Sequence, residues 1–172
     1  ASTTLAIILT PLYIYLLADQ TINIDLSGLM KSTFFIIFLP VSSGFIINTF
    51  LKTNKKILNS LPVFSEITIA LIISIIFAVN FDNLINISYK MIFGVVLHNL
   101  IGLVLALKIT QILNYPEDIR KTVAIEVAMQ NSGLGMTLAL IHFSKIVALP
   151  SAIFSLWHNI SAAGLVYLWK KK

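Results

Sequence analysis

Apolar residues run along this chain in six blocks, each separated from the next by a short stretch of polar and charged residues. The blocks cover residues 1–18, 29–50, 63–81, 91–107, 122–143 and 149–169. At a rise of ~1.5 Å per residue, helices of these lengths suit a hydrocarbon layer about 30 Å thick. The pattern predicts six transmembrane helices. Pro40 and Gly44 interrupt the second, which is tolerable where neighbouring helices satisfy the freed carbonyls. The third is expected to start after Pro62, placing Glu66 in its first turns, where an anion is favourable. The fourth holds His98, Asn99 and Gly102, and the sixth holds Trp157, His158, Asn159 and Ser161.

The fifth block departs from the others. Its stretch Ile125-Glu126-Val127-Ala128-Met129-Gln130-Asn131-Ser132-Gly133-Leu134 sets a carboxylate, two amides, a hydroxyl and a glycine inside apolar sequence. In a soluble protein this would be an ordinary polar turn. Residues 123–141 are long enough to cross a bilayer, however, and an ionisable group at such depth is by default a functional-site hypothesis.

Composition agrees with this choice of solvent. The chain is 58% hydrophobic and 11% charged, with a mean hydropathy of +0.93. These values lie outside the range of soluble domains and predict an all-α polytopic integral membrane protein. The apolar blocks fill the whole length, which excludes one soluble domain behind a signal peptide. The absence of cysteine removes disulfides and thiolate chemistry. The net charge of +5 does not point to nucleic acid, because the cations are dispersed and none interleaves with aromatics on a polar face.

Charge does carry orientation. If the connectors alternate sides, Lys52, Lys55, Lys56, Lys108, Arg120, Lys121, Lys170, Lys171 and Lys172 fall on one side and only Lys31, Lys90 and Lys145 on the other. That asymmetry places the larger group, and the C-terminus, in the cytoplasm. The first block begins abruptly inside a hydrophobic pattern, so the chain is expected to be a piece of something longer.

The fifth block then runs from the cytoplasmic side, with Gln130 roughly 15 Å along the axis from Arg120, near the bilayer middle. Three consecutive polar residues followed by Gly133 predict a break near 129–133, since Asn and Ser favour N-caps and Gly permits unwinding. The first half-helix would direct unpaired carbonyls at the gap and the second would direct amides. Discontinuous helices of this kind bind coupling cations and anionic substrate groups in secondary transporters. Glu126, four residues before Gln130, shares the face of the broken turn. A buried carboxylate there must be protonated, paired or bound to a cation, and its oxygen-rich surroundings suit a hard cation such as sodium.

The segment Thr122-Val123-Ala124-Ile125-Glu126-Val127-Ala128-Met129-Gln130-Asn131-Ser132-Gly133-Leu134 resembles the broken-helix signature of the bile acid:sodium symporter family. Leu97-His98-Asn99, His142-Phe143, the stretch from Pro150 through Ser161, and Leu9-Thr10-Pro11 are also similar to bacterial members. The resemblance covers nearly the whole chain, as spans five to ten of a ten-span transporter. It implies two inverted five-span repeats, with the fifth block crossing an equivalent broken helix upstream. It further implies that the residue at Glu126 bridges two sodium sites, and that the Val127 and Met129 carbonyls and the Gln130 side chain serve the second. Asn131 would face the substrate, with His158 and Asn159 a polar pair near the substrate cavity. Other ligands of both sites would lie upstream of Ala1. Ala128 departs from the Gly common in bacterial members.

Plainer readings exist for each residue. Glu126 could be a protonated acid bonding a neighbouring helix, and Gln130, Asn131 and Ser132 could join helices. His98 and Asn99 read as structural, His142 as solvated, Glu66 as helix-terminal, and His158 and Asn159 as either packing or cavity lining. An intramembrane enzyme is disfavoured, because Ser155, His158 and Ser161 have no acid in their span to orient the histidine. The expected function is a sodium-coupled symporter of an organic anion, such as a bile acid or small carboxylate, in a bacterial inner membrane. The alternatives are a proton-coupled or uncoupled carrier of the same fold and a non-transporting structural fragment.

Overall fold

The computed structural model describes residues 2–18, 24–50, 55–85 and 87–170. Among these residues the chain forms eight helices: α1 (Ser2–Ala18), α2 (Leu26–Phe50), α3 (Lys55–Val79), the short α4 (Phe81–Ile85), α5 (Tyr89–Ile112), α6 (Glu117–Ala128), α7 (Ser132–His142) and α8 (Leu149–Lys170). The fifth expected block is divided into α6 and α7. Three helices are long and apolar enough to cross a membrane: α2, the Leu58–Val79 part of α3, and α5, with mean hydropathies of 1.8, 2.3 and 2.1. At most 22% of their apolar windows is buried. Such continuous apolar surface is untenable in water and natural in lipid.

The structure moves several boundaries. Because α3 begins at Lys55, Pro62 lies inside the helix and Glu66 stands about three turns from its N-terminus, beyond reach of the terminal dipole. The explanation of Glu66 as a helix-terminal anion is therefore withdrawn. The helix α5 extends to Ile112, so Lys108 is helical and the connector to α6 shrinks to residues 113–116. The loop expected at 82–88 carries α4. The loop expected at 19–28 falls outside the described residues as far as 23, and so do Lys52, Lys171 and Lys172.

That four-residue connector explains how α5 and α6 become antiparallel neighbours. Asn114 takes a left-handed φ of 57°. Its N–H donates to Gln111 O and that of Tyr115 to Thr110 O, each at 3.0 Å, which satisfies the last carbonyls of α5 as the chain reverses. Glu117 and Asp118 then occupy the first turn of α6, where the dipole favours anions.

Three apolar clusters hold the two halves of the broken segment. Leu103 and Ala106 of α5 pack on Ala124 and Ala128 of α6, with Leu165 and Trp169 of α8 against them. Small residues at this contact let the backbones approach closely. The α7 helix is gripped from two sides, by Leu29 and Ile37 of α2 on Leu134 and Leu138, and by Ile73 and Ile76 of α3 with Ala152 of α8 on Met136 and Ala139. Each half-helix thus has its own packing partners.

Candidate functional site

The helical ladder fails between α6 and α7. The N–H of Met129 still donates to Ile125 O at 2.8 Å, but that of Gln130 turns to Ala128 O at 3.2 Å instead of reaching Glu126 O. Met129 (φ −85°, ψ 80°) and Asn131 (φ −76°, ψ 71°) leave the helical region through ψ alone. No glycine is required for this unwinding. Gly133 sits inside α7 and no described glycine has a positive φ, so the expectation that it supplies the special dihedrals is corrected. The new helix starts because the Asn131 side-chain oxygen accepts the Leu134 N–H at 3.1 Å, an N-cap.

The last carbonyls of α6 find other partners. Gln130 Nε2 donates to Val127 O at 3.1 Å. Asn99 Nδ2 of α5 donates to Ala128 O at 2.9 Å. One turn along α5, a Cβ at Gly102 would lie 3.5 Å from Val127 O, so the two backbones are nearly in contact. The Ser132 hydroxyl shares a hydrogen bond with that of Ser155 on α8. The negative end of α6 and the positive end of α7 consequently face one short gap.

Two cavities meet at this gap. One, of about 450 Å³, is lined by Ala6 and Thr10 of α1 together with Glu126, Val127, Met129, Gln130 and Asn131. The other, of about 440 Å³, shares Gln130 and Asn131 and adds Lys90 and His98 of α5, Ser132, and Ser151 of α8. Both sizes suit small ligands. The first cavity holds a carboxylate and the second an ammonium group. The Glu126 side chain is exposed to its cavity and has no hydrogen-bond or ion-pair partner among the described residues.

The four residues expected to hold a cation, Glu126, Val127, Met129 and Gln130, thus surround one cavity, and Asn131 reaches both. The other two expected substrate contacts lie elsewhere. His158 is 7% exposed with its ring edge-on to Phe154 at 5.3 Å, and lines neither cavity. Asn159 opens onto a separate cavity between α3 and α8, beside Glu66, and donates to Ser155 O at 2.6 Å. His142, expected to be solvated, is half-buried and hydrogen-bonds Ser32 of α2 at 2.8 Å, because α2 packs over the end of α7.

Thr10, Lys90 and Trp157 join the site or its frame without having been assigned a role from sequence, and Asn99, read as structural, joins the frame through bonds across helices. Thr10 and Lys90 come from distant segments, which no local pattern relates to the break. Asn99 had a signal, an amide inside an apolar span, and Trp157 is found only through it, its Nε1 donating to Asn99 Oδ1 at 3.2 Å.

The donor set around Glu126 is one carboxylate, one amide and backbone carbonyls, all hard oxygens. Among the described residues no three His, Cys, Asp or Glu side chains gather as a transition metal would require. Residues 1–87, half of the 172, match the family described as Sodium Bile acid symporter family. The chain is 39% identical over 172 residues to the uncharacterized sodium-dependent transporter YocS of Bacillus subtilis (strain 168), covering 99% of this chain and 54% of that protein. It is 31% identical over 173 residues to the probable sodium/metabolite cotransporter BASS1, chloroplastic, of Arabidopsis thaliana, covering 99% of this chain and 43% of that protein. The corresponding BASS2 protein of Oryza sativa subsp. japonica is 28% identical, with 99% and 41% covered. The chain spans about half the length of the curated relatives it matches. A helical membrane fold, an interrupted helix flanked by oxygen donors, and a family match over half the sequence lead to one conclusion: the chain belongs to the sodium bile acid symporter family.

Proposed function

We propose that this chain is part of a sodium-coupled secondary transporter that carries an organic anion by alternating access. The observation that supports it best is the gathering of Glu126, Val127, Met129 and Gln130 around one cavity at the mouth of two opposed half-helices. Sodium would be held by the Glu126 carboxylate, the Val127 and Met129 carbonyls and the Gln130 side chain. The Gln130 amide donates its Nε2 to Val127 O, which leaves its Oε1 free of that bond to serve as a cation ligand, and the Val127 carbonyl keeps a second lone pair.

The anion would occupy the second cavity, where Lys90, His98 and the N-terminal end of α7 supply positive charge and donors. Asn131 faces both cavities and caps α7, so it is placed to couple ion to substrate. His158 and Asn159 stand apart from this cavity, which leaves Asn131 as the substrate contact of the reading. In the membrane the six helical segments would cross in turn, α6 and α7 together as the fifth, with the C-terminus in the cytoplasm of a bacterium and the remaining ligands on other spans.

Glu126→Ala in the intact protein should abolish sodium-dependent uptake, measured across a panel of steroid and small carboxylate anions, while expression and membrane insertion persist. Uptake that keeps its sodium dependence sinks the assignment. Wild-type uptake indifferent to sodium but steep in pH would transfer Glu126 to proton carriage.

A further inference from the structure

Helix α5 passes behind the break, and its contacts there are more specific than packing requires. The last carbonyls of any helix lack intrahelical donors, and these are the oxygens that a cation at this gap would read. Ala128 stands between the two residues whose carbonyls are assigned to the ion. Asn99 Nδ2 holds the Ala128 oxygen at 2.9 Å. Because a peptide group is planar, fixing that oxygen fixes the whole unit joining Cα of Ala128 to Cα of Met129, the joint between the Val127 and Met129 carbonyls.

Asn99 is itself held. It is 2% exposed, and its Oδ1 accepts the Trp157 indole N–H at 3.2 Å. An indole nitrogen can only donate, so the Asn99 oxygen must face Trp157 and its NH2 must face Ala128. Gly102, on the same face of α5, has no side chain to push the Val127 carbonyl away. Trp157 of α8, Asn99 of α5 and the end of α6 therefore form one chain of contacts ending at the proposed cation ligands.

We infer that Asn99, which lines neither cavity at the break, is a positioning residue for sodium, oriented by Trp157 and acting through the Ala128 carbonyl. This rests on the sodium reading above and deepens it. The expected signature is a change in sodium affinity separable from any general loss of stability.

The test is thermal unfolding of the purified intact protein during a NaCl titration, with ionic strength kept constant by KCl. Wild type should be stabilised by sodium and not by potassium. Asn99→Leu, similar in volume but unable to donate, should raise the sodium half-saturation concentration about tenfold. Trp157→Phe keeps an aromatic ring but removes the N–H together with the five-membered part of the indole, and should raise it about threefold. The double variant should be no worse than Asn99→Leu alone, because both act through one bond. A role in packing alone would lower the melting temperature in KCl and leave the half-saturation concentration in place, which overturns the inference. If Asn99→Leu does not fold, Trp157→Phe decides in the same way. A wild-type protein that gains nothing specific from sodium fails the sodium reading itself, and this inference with it.

Discussion

The Asn131 N-cap permits a quantitative test that needs no ligand. Asn131 Oδ1 satisfies the Leu134 N–H at 3.1 Å, one of the donors that the first turn of α7 cannot pair internally. Replacing an N-cap Asn by Ala costs about 1 kcal/mol, with a range of roughly 0.5–2. Asn131 is exposed and lines both cavities at the break, so solvent reaches it and the central value applies rather than the several kcal/mol of an orphaned amide in hydrocarbon. A loss of ~1 kcal/mol multiplies the frayed population about fivefold. Hydrogen–deuterium exchange of a peptide spanning residues 131–136 in the intact protein reads this directly. Asn131→Ala should accelerate exchange at Leu134 about fivefold, and Asn131→Ser, which keeps an acceptor oxygen, should remain within about twofold of wild type. Acceleration beyond ~30-fold would mean a dry gap. Unchanged exchange in Asn131→Ala, or equal acceleration in Asn131→Ser, would refute the cap.

Two further perturbations probe how α7 is held. A Cβ at Gly135 would lie 2.8 Å from Ser151 Oγ of α8, so Gly135→Val should destabilise by about 1–3 kcal/mol in a thermal-unfolding assay and Ser151→Ala should recover part of it. Ser32→Ala removes the hydroxyl that bonds His142 at 2.8 Å; a double-mutant cycle with His142→Phe should return a coupling of about 1 kcal/mol, and a coupling near zero would discard that contact.

Much of the fold was legible because lipid imposes a simple rule: backbone groups must be satisfied within the helix and side chains must be apolar. Six apolar blocks therefore read as helices, and the break was visible because Gln130, Asn131 and Ser132 violate that rule together. Boundaries were less legible. Pro62 looked like a helix start and proved internal, since surrounding protein or lipid-compatible neighbours can absorb a missing N–H. Gly133 looked like the hinge, yet Met129 and Asn131 unwind the chain at ordinary negative φ.

The candidate site divides along the same line. Its local part, from Glu126 to Asn131, is contiguous, and one helical turn suffices to bring those residues together. Its remote part is not. Thr10, Lys90 and Asn99 approach the break only because α5 packs against α6 and α1, packed on α2, lines the cavity there, and His158 and Asn159, adjacent in sequence, are separated because successive residues on a helix point in different directions.

The amino-acid sequence by itself determined the solvent, the helical segments, the place of the interruption and the oxygen donors it exposes, all of which follow from hydrophobicity and short-range backbone chemistry. Only the tertiary structure decided which cavities those donors face, that an ammonium group lines the cavity next to that of the carboxylate, and that α5 and α8 hold the broken end through Asn99 and Trp157. The physical reason is range. Helix formation and capping act over about four residues, whereas a cavity is made by packing between segments as far apart in sequence as Thr10 and Glu126.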